Sequence, residues 1–258
     1  LTGNILDNFS FEEVEKIKFE NLDVIDSFII NKISQLDKNF YQNLEKNEFH
    51  KIYVDILNFC TVDLSSFYFD IRKDTLYCDD LDSIKRFNCI NILKVTLLFL
   101  MKWLSPILVF TCEELFQILK NRETNNSNIF EESIFLIDFK KIDYSDQITF
   151  DNDKWVLLRK LKIEINQIFE NMRNEKIIKS GLDAKVNIKT IEKYNKIFEN
   201  INLSDFFICS KVDINKNFDE DKMKELNSMD GIKFFVEKST GKKCNHCWKI
   251  SENNCERI

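Results

Sequence analysis

Glycine occurs four times and proline once in 258 residues, well below ordinary usage. Few positions can therefore adopt a positive φ or a rigid turn. That excludes an architecture of many short strands and tight hairpins and leaves long helices as the expected fold. A basic leader followed by an apolar stretch and a small-residue cleavage site is also missing. The sequence opens at Leu1 and carries charge from Asp7 onward, and it reads as part of a longer polypeptide. Eight cysteines without a secretory context do not suggest disulfides. Four of them, Cys60, Cys78, Cys89 and Cys112, lie among apolar residues without paired spacing and are read as small core residues. The most apolar stretch, Ile90 to Phe110, is interrupted by Lys94 and Lys102 and split by Pro106, so it predicts buried helices and no membrane span.

What is present is an ordinary globular composition, 44% apolar and 31% charged, enough for one large or two smaller cores. The formal net charge of −6 does not advertise a nucleic-acid binder, but whole-chain charge says nothing of its distribution. Residues 151–189 hold nine Lys/Arg against six Asp/Glu, and residues 231–258 hold six against three. Taken alone, each region is more often a solvated face than an RNA site.

The apolar residues Leu22, Ile25, Ile29, Ile33, Leu36, Phe40 and Leu44 step by three and four, predicting one stripe of a long amphipathic helix. A second helix is expected from Phe49 through Ile71. A third runs from Ser83 to Trp103 and is apolar nearly all round, so it belongs at the centre of an antiparallel bundle. Thr111-Cys112-Glu113-Glu114 has the form of a capping box opening a further helix through Leu119. Residues 121–127 read as a polar loop. Another helix is marked by Trp155, Leu158, Leu161, Ile165, Ile168, Phe169 and Met172 and breaks at Ser180-Gly181. Beyond it Ala184, Val186 and Ile188 alternate with Lys185, Asn187 and Lys189, the period of a half-buried strand. Two more strands are expected at residues 206–214 and 232–236, with helical pieces at 191–201 and 219–229. The fold class is therefore mainly α, a bundle over 21–180 followed by a small mixed α/β subdomain over 181–237. No internal repeat argues for a solenoid.

Residues 238–258 contain the one local pattern with a chemical mechanism. Cys244-Asn245-His246-Cys247 can place two thiolates on one edge of a zinc tetrahedron, with Cys255 as a third ligand. Ile258 stands where a fourth cysteine would complete the set, so the knuckle is incomplete. A redox Cys-x-x-Cys pair is the alternative, but it wants a strand-to-helix junction that is not evident here. His246, between the cysteines, is expected to face solvent. Trp248 is expected to pack over the knuckle as part of a miniature core; its other reading is a stacking platform for an unpaired base.

In this order, Phe49-His50-Lys51-Ile52-Tyr53, the run Asn58 to Ile71, Lys73-Asp74-Thr75-Leu76-Tyr77-Cys78, Ser180 to Val186 and Lys243 to Trp248 resemble the bacterial isoleucyl-tRNA synthetase family. The segment Leu104 to Leu115 is similar to one shared with the valyl and leucyl enzymes, and the terminal knuckle favours isoleucine. The resemblance implies an anticodon-binding bundle, with residues 1–20 as a connector from a catalytic domain that is not in this sequence. It implies isoleucine tRNA and the upstream catalytic and editing domains as partners, a monomer, a cytoplasmic location and no membrane. Trp248, Lys249, His50, Lys51 and Lys73 are the tRNA-binding candidates, and Cys244, Cys247 and Cys255 the ligands of structural Zn²⁺. No catalytic residue is expected. ATP and Mg²⁺ belong to the catalytic domain: the only histidines are His50 and His246, so no His-x-Gly-His arrangement exists, and no Lys-Met-Ser-Lys run occurs. The rival readings are the anticodon-binding region of a valyl, leucyl or methionyl synthetase, or a non-catalytic helical interaction scaffold.

Overall fold

A computed structural model describes residues 19, 22–122, 132–137, 144, 150–199, 201–216, 220–227 and 231–252. The chain gathers into two compact units. The first is formed by residues 1–22, 26–70 and 81–150, the second by 23–25, 71–80 and 151–258. The fold is mainly α with a small mixed sheet. The expected connector, apart from Phe19, lies outside the described residues, as do most of the polar loop after residue 122, Cys255 and Ile258.

In the first unit, α1 (Val24–Glu45) buries Ile29, Ile33, Leu36 and Phe40 of the expected stripe. The chain turns at Asn47, whose φ of 56° is left-handed, and enters α2 (Phe49–Asn58). The helix predicted to end at residue 71 continues to residue 78, through a π-helical segment (Phe59–Phe69) and α3 (Asp70–Cys78). Ser66 and Thr61 show how the wide turn is accommodated. Ser66 Oγ donates to the carbonyl of Thr61, five residues back, at 2.7 Å, and Thr61 Oγ1 donates to Leu57 O at 2.8 Å. Hydroxyls thus add side-chain hydrogen bonds to carbonyls of the widened turn.

The fourth helix, α4 (Ile84–Leu104), starts at Ser83, whose hydroxyl accepts from Arg86 N, the N-cap arrangement that its residue type favours. Among the described residues it is the one helix long and apolar enough to cross a membrane, but 78% of its most apolar stretch is buried inside the protein. It is the core helix that the sequence predicts. Its lysine and tryptophan near the end are tied to α1: Asp37 accepts from Lys102 Nζ at 2.7 Å and from Trp103 Nε1 at 2.8 Å. A buried cation and a buried indole N–H thereby share one carboxylate.

The capping box expected at Thr111 is not formed. Helix α5 (Val109–Arg122) begins two residues earlier, because the turn after Pro106 already carries Ile107 N and Leu108 N to Leu104 O and Cys112 N to Leu108 O. Glu113, inside the first turns of the helix, reaches across to Ser133 and Ile134. Of the four cysteines read as core, Cys89 and Cys112 are buried, whereas Cys60 and Cys78 are half-exposed.

In the second unit, Asp151 caps α6 (Asn152–Asn174) by accepting from Lys154 N at 2.9 Å. The helix buries Trp155, Leu158, Leu161, Ile165, Phe169 and Met172, and Trp155 meets Phe206 edge-on at 6.1 Å. The break at Ser180-Gly181 becomes a short 3₁₀ turn (Gly181–Asp183) with a reciprocal capping box. Strand β1 (Ala184–Thr190) follows, with Ala184, Val186 and Ile188 fully buried. After α7 (Glu192–Asn195), the stretch expected as one strand over 206–214 divides into α8 (Leu203–Phe207) and β2 (Lys211–Ile214). Asn202 decides this: its side chain accepts from Asp205 N and opens a helical turn, and Ile208 closes it with a φ of 56°. Where a helix was expected over 219–229, the described residues form a 3₁₀ turn (Glu220–Lys222) and β3 (Lys224–Glu225). The strand expected at 232–236 is β4 (Ile232–Lys238).

The sheet order is β2-β1-β4-β3. β1 and β2 are parallel, and β4 is antiparallel to both β1 and β3. The parallel pair requires a crossover, which the helical residues between Thr190 and Lys211 supply. A last hairpin, β5 (Lys242–Lys243) and β6 (Ile250–Ser251), closes the described chain.

Candidate functional site

The terminal hairpin is shaped by backbone chemistry before any side chain acts. Gly241 has φ +122°, and a Cβ there would lie 2.6 Å from the Ser251 carbonyl carbon, so only glycine lets the two strands approach. From Lys243 the chain enters the Cys-x-x-Cys turn. Cys244 N donates to Lys249 O at 2.9 Å and Trp248 N to Cys244 O at 3.0 Å, while His246 N donates to Cys244 Sγ at 3.3 Å. An N–H aimed at a sulfur stabilises negative charge on it, which suits a metal-bound thiolate.

Cys247 is buried and Cys244 half-buried. These two fit one edge of a zinc tetrahedron by residue type and by the N–H···S contact. Among the described residues no three His, Cys, Asp or Glu side chains converge as a metal-binding group, and Cys255, the third ligand expected from sequence, lies outside them. His246 is exposed, as expected, but it is engaged. Its Nε2 lies 3.4 Å from Cys78 O, and the Cys78 thiol donates to His246 O at 3.7 Å.

Trp248 departs from the packing role that sequence favours. It is 61% exposed, and its φ of 61° is an uncommon left-handed value for a residue with a Cβ. The turn directs Cys247 inward and the indole out. Lys243 Nζ stands 5.9 Å from the indole, within cation–π range, and 3.8 Å from Asp183. The next residue turns the opposite way. Lys249 Nζ is 2.7 Å from Asp205 Oδ1 and 3.1 Å from Ser204 Oγ, at the start of α8. The same interior holds Cys209, whose thiol is pushed up to about 12 by burial in spite of the opposing pull of Lys249 and Lys162.

The remaining sequence candidates stand elsewhere. His50 and Lys51 are exposed on the first turn of α2 in the first unit, with Lys51 Nζ 2.8 Å from Glu48 Oε1. Lys73 is exposed on α3 in the second unit. Sequence reading missed the surface around His50: Phe49, Tyr53, Val54 and Leu57 are all exposed. The signal was available, since α2 buries only Ile52 and Ile56, and apolar residues off that line cannot serve the core.

Residues 26–188 match the family described as the anticodon-binding domain of tRNA ligase. The chain belongs to that family. As an anticodon-binding domain it is also similar, over its whole length, to isoleucine–tRNA ligases. It is 36% identical to that of Pelagibacter ubique over 258 residues, which are 100% of this chain and 26% of that protein. It is 32% identical to the isoleucine–tRNA ligase of Staphylococcus epidermidis over 256 residues, 98% of this chain and 26% of that protein, and 31% identical to the Staphylococcus aureus protein with the same coverage. The chain thus spans about a quarter of the length of these relatives.

Proposed function

We propose that this chain grips the anticodon stem and loop of isoleucine tRNA as the anticodon-binding part of an isoleucine–tRNA ligase, and takes no part in the chemical step. In such an enzyme the amino acid would be activated with ATP and Mg²⁺ in a catalytic portion, and this part would orient the tRNA toward it and toward an editing site. The observation that carries the reading is Trp248. A largely exposed indole beside Lys243, held on a braced turn, combines a stacking surface with a cation, as single-stranded RNA recognition requires. His50, Lys51 and Lys73 would add contacts to phosphate, which favour every sequence equally and fix register. The protein acts as a soluble cytoplasmic monomer.

Zinc belongs to the same proposal. Cys244 and Cys247, with Cys255, would hold Zn²⁺ as thiolates, and the metal's role is structural, stabilising a hairpin with little apolar core of its own.

The test is binding of the isoleucine tRNA anticodon stem-loop, followed by Trp248 emission and by filter binding across a salt series. Affinity should fall with rising salt as phosphate contacts release counterions, and Trp248→Ala should weaken binding roughly ten-fold, the worth of one stacked base. Equal binding of an unrelated stem-loop would favour a general helical scaffold, and preference for a valine, leucine or methionine stem-loop would move the chain to another synthetase.

A further inference from the structure

Lys249 sits next to the exposed indole, and in sequence it looks like a phosphate contact. Its side chain nevertheless runs inward: it is 15% exposed and its partner Asp205 3% exposed, with the charges 2.7 Å apart. Ser204 Oγ takes a second contact at 3.1 Å. The main chain on the same side is fixed as well, Ile250 N donating to Ser210 Oγ at 2.6 Å. On the other side of Trp248 the reciprocal contacts of His246 and Cys78 hold the turn to the end of α3. Trp248 is thus the one outward residue between two anchored neighbours, in a left-handed conformation that persists only when its surroundings over-determine it.

We infer that Lys249 is a positioning residue: through its ion pair with Asp205 it holds Trp248 in the conformation that turns the indole to solvent, and it does not neutralise phosphate. To reach an RNA phosphate, the ammonium would have to abandon a carboxylate that is almost wholly withdrawn from water. Leaving such a charge unpaired is more costly than a solvated phosphate contact returns. The inference rests on the stacking role proposed for Trp248, but its structural half can be tested without RNA.

Acrylamide quenching provides that test, because Trp103 and Trp155 are buried and the accessible emission comes from Trp248. In Lys249→Met and Asp205→Asn the quenching constant of the accessible component should change by about two-fold or more, while Lys249→Arg should stay near the parent. Unchanged quenching in both Met and Asn variants overturns the inference, whatever RNA does. Binding then separates the roles. If Lys249 positions the indole, Lys249→Met and Asp205→Asn both weaken stem-loop binding, and the slope of log affinity against log salt stays as in the parent. If Lys249 contacts phosphate, Lys249→Met makes that slope shallower by about one, and Asp205→Asn releases the ammonium and tightens binding. Those two results refute the inference. Should Trp248→Ala bind RNA like the parent, the stacking proposal fails, and the quenching comparison still decides whether Lys249 sets the indole's direction. Thermal melts of each variant identify any that fail to fold, and for these Ser204→Ala, which removes one contact and leaves the ion pair, gives a milder form of the same measurement.

Discussion

Helix α4 and the terminal hairpin are held in place by opposite means. From Cys89 through Trp103 almost every side chain of α4 is buried, so its position is the sum of many weak, non-directional contacts. Residues 239–252 bury Cys247 and little else, and their placement depends on a few directed contacts: Lys249 to Asp205, Ile250 N to Ser210, His246 to Cys78. A core built by summation tolerates the loss of one contact and is legible as a pattern. A turn built from single pairs is neither, and it carries the residue best placed to meet a ligand.

The largest effect expected from breaking this contrast is at Trp103, which is 1% exposed. It packs edge-on against Phe59 at 6.1 Å and donates to Asp37 at 2.8 Å. Trp103→Ala should destabilise the protein by about 3–5 kcal/mol through lost burial and the cavity left behind, read as a lower urea midpoint. Trp103→Phe keeps most of the volume and loses mainly the hydrogen bond, and it should cost about 1–2 kcal/mol. Equal losses in the two variants would mean that the Asp37 contact, and not packing, fixes this end of α4.

That division also explains what the sequence discloses. The buried stripes of α1 and α6, and the all-round apolarity of α4, survive any small shift of register because many residues report them together. The alternation in β1 is legible for the same reason. Errors cluster where one residue decides. A run such as Phe206-Phe207-Ile208-Cys209 suits a buried strand or a helix equally well, and Asn202 resolves it through a single hydrogen bond. Thr111 and Glu114 have capping-box spacing, yet the turn after Pro106 had already begun the helix. The Phe59–Phe69 π segment left one trace, the five-residue gap between buried Phe59 and Leu64, and that gap is too short a signal to read alone. At the hairpin, sequence identified the cysteines and the indole but not their directions. Those directions follow from the φ of Trp248 and from where Lys249 finds its counter-charge.

A smaller effect tests whether backbone fit, and not only side-chain burial, holds the second unit together. A Cβ at Gly181 would lie 2.7 Å from Ile208 O and 3.3 Å from the Phe169 ring. The ring can shift by a few tenths of an ångström, but the carbonyl belongs to the left-handed residue that ends α8 and cannot. Gly181→Ala should therefore cost about 1–3 kcal/mol, the usual range for overpacking a close contact, measured by thermal or urea unfolding. A neutral substitution would show that the α8 end yields, and with it the Asp205 side of the hairpin's anchorage.

The smallest effect concerns a polar clasp within the bundle, where a single pair interaction sits beside a summed core. Glu113 Oε1 accepts from Gln117 Nε2 at 2.7 Å, and Oε2 accepts from Ser133 Oγ at 2.7 Å and Ile134 N at 3.1 Å. The Gln117 and Ser133 hydrogen bonds hold its carboxyl below the usual glutamate range against the opposing effect of burial, with a lesser contribution from Ile134 N. A carboxyl whose folded pKa is depressed binds its proton more weakly in the folded state than in the unfolded one. Its contribution is therefore complete above the unfolded glutamate pKa of about 4.3 and is lost as pH falls from there through the lower folded value. Glu113→Gln removes the titration and keeps the shape. At neutral pH the parent should be more stable than this variant by about 1 kcal/mol or less, since water screens a carboxylate so near the surface. Against the opposing effect of burial, Asp213 is depressed by Lys216 and Lys185, and Glu237 by Asn187 and Lys185, in the same direction, so the parent's acid melt alone cannot isolate Glu113. The difference between parent and variant can. It should shrink as pH is lowered from 7 toward 3, and a gap that stays constant over that range would mean that Glu113 holds Ser133 by shape and not by charge.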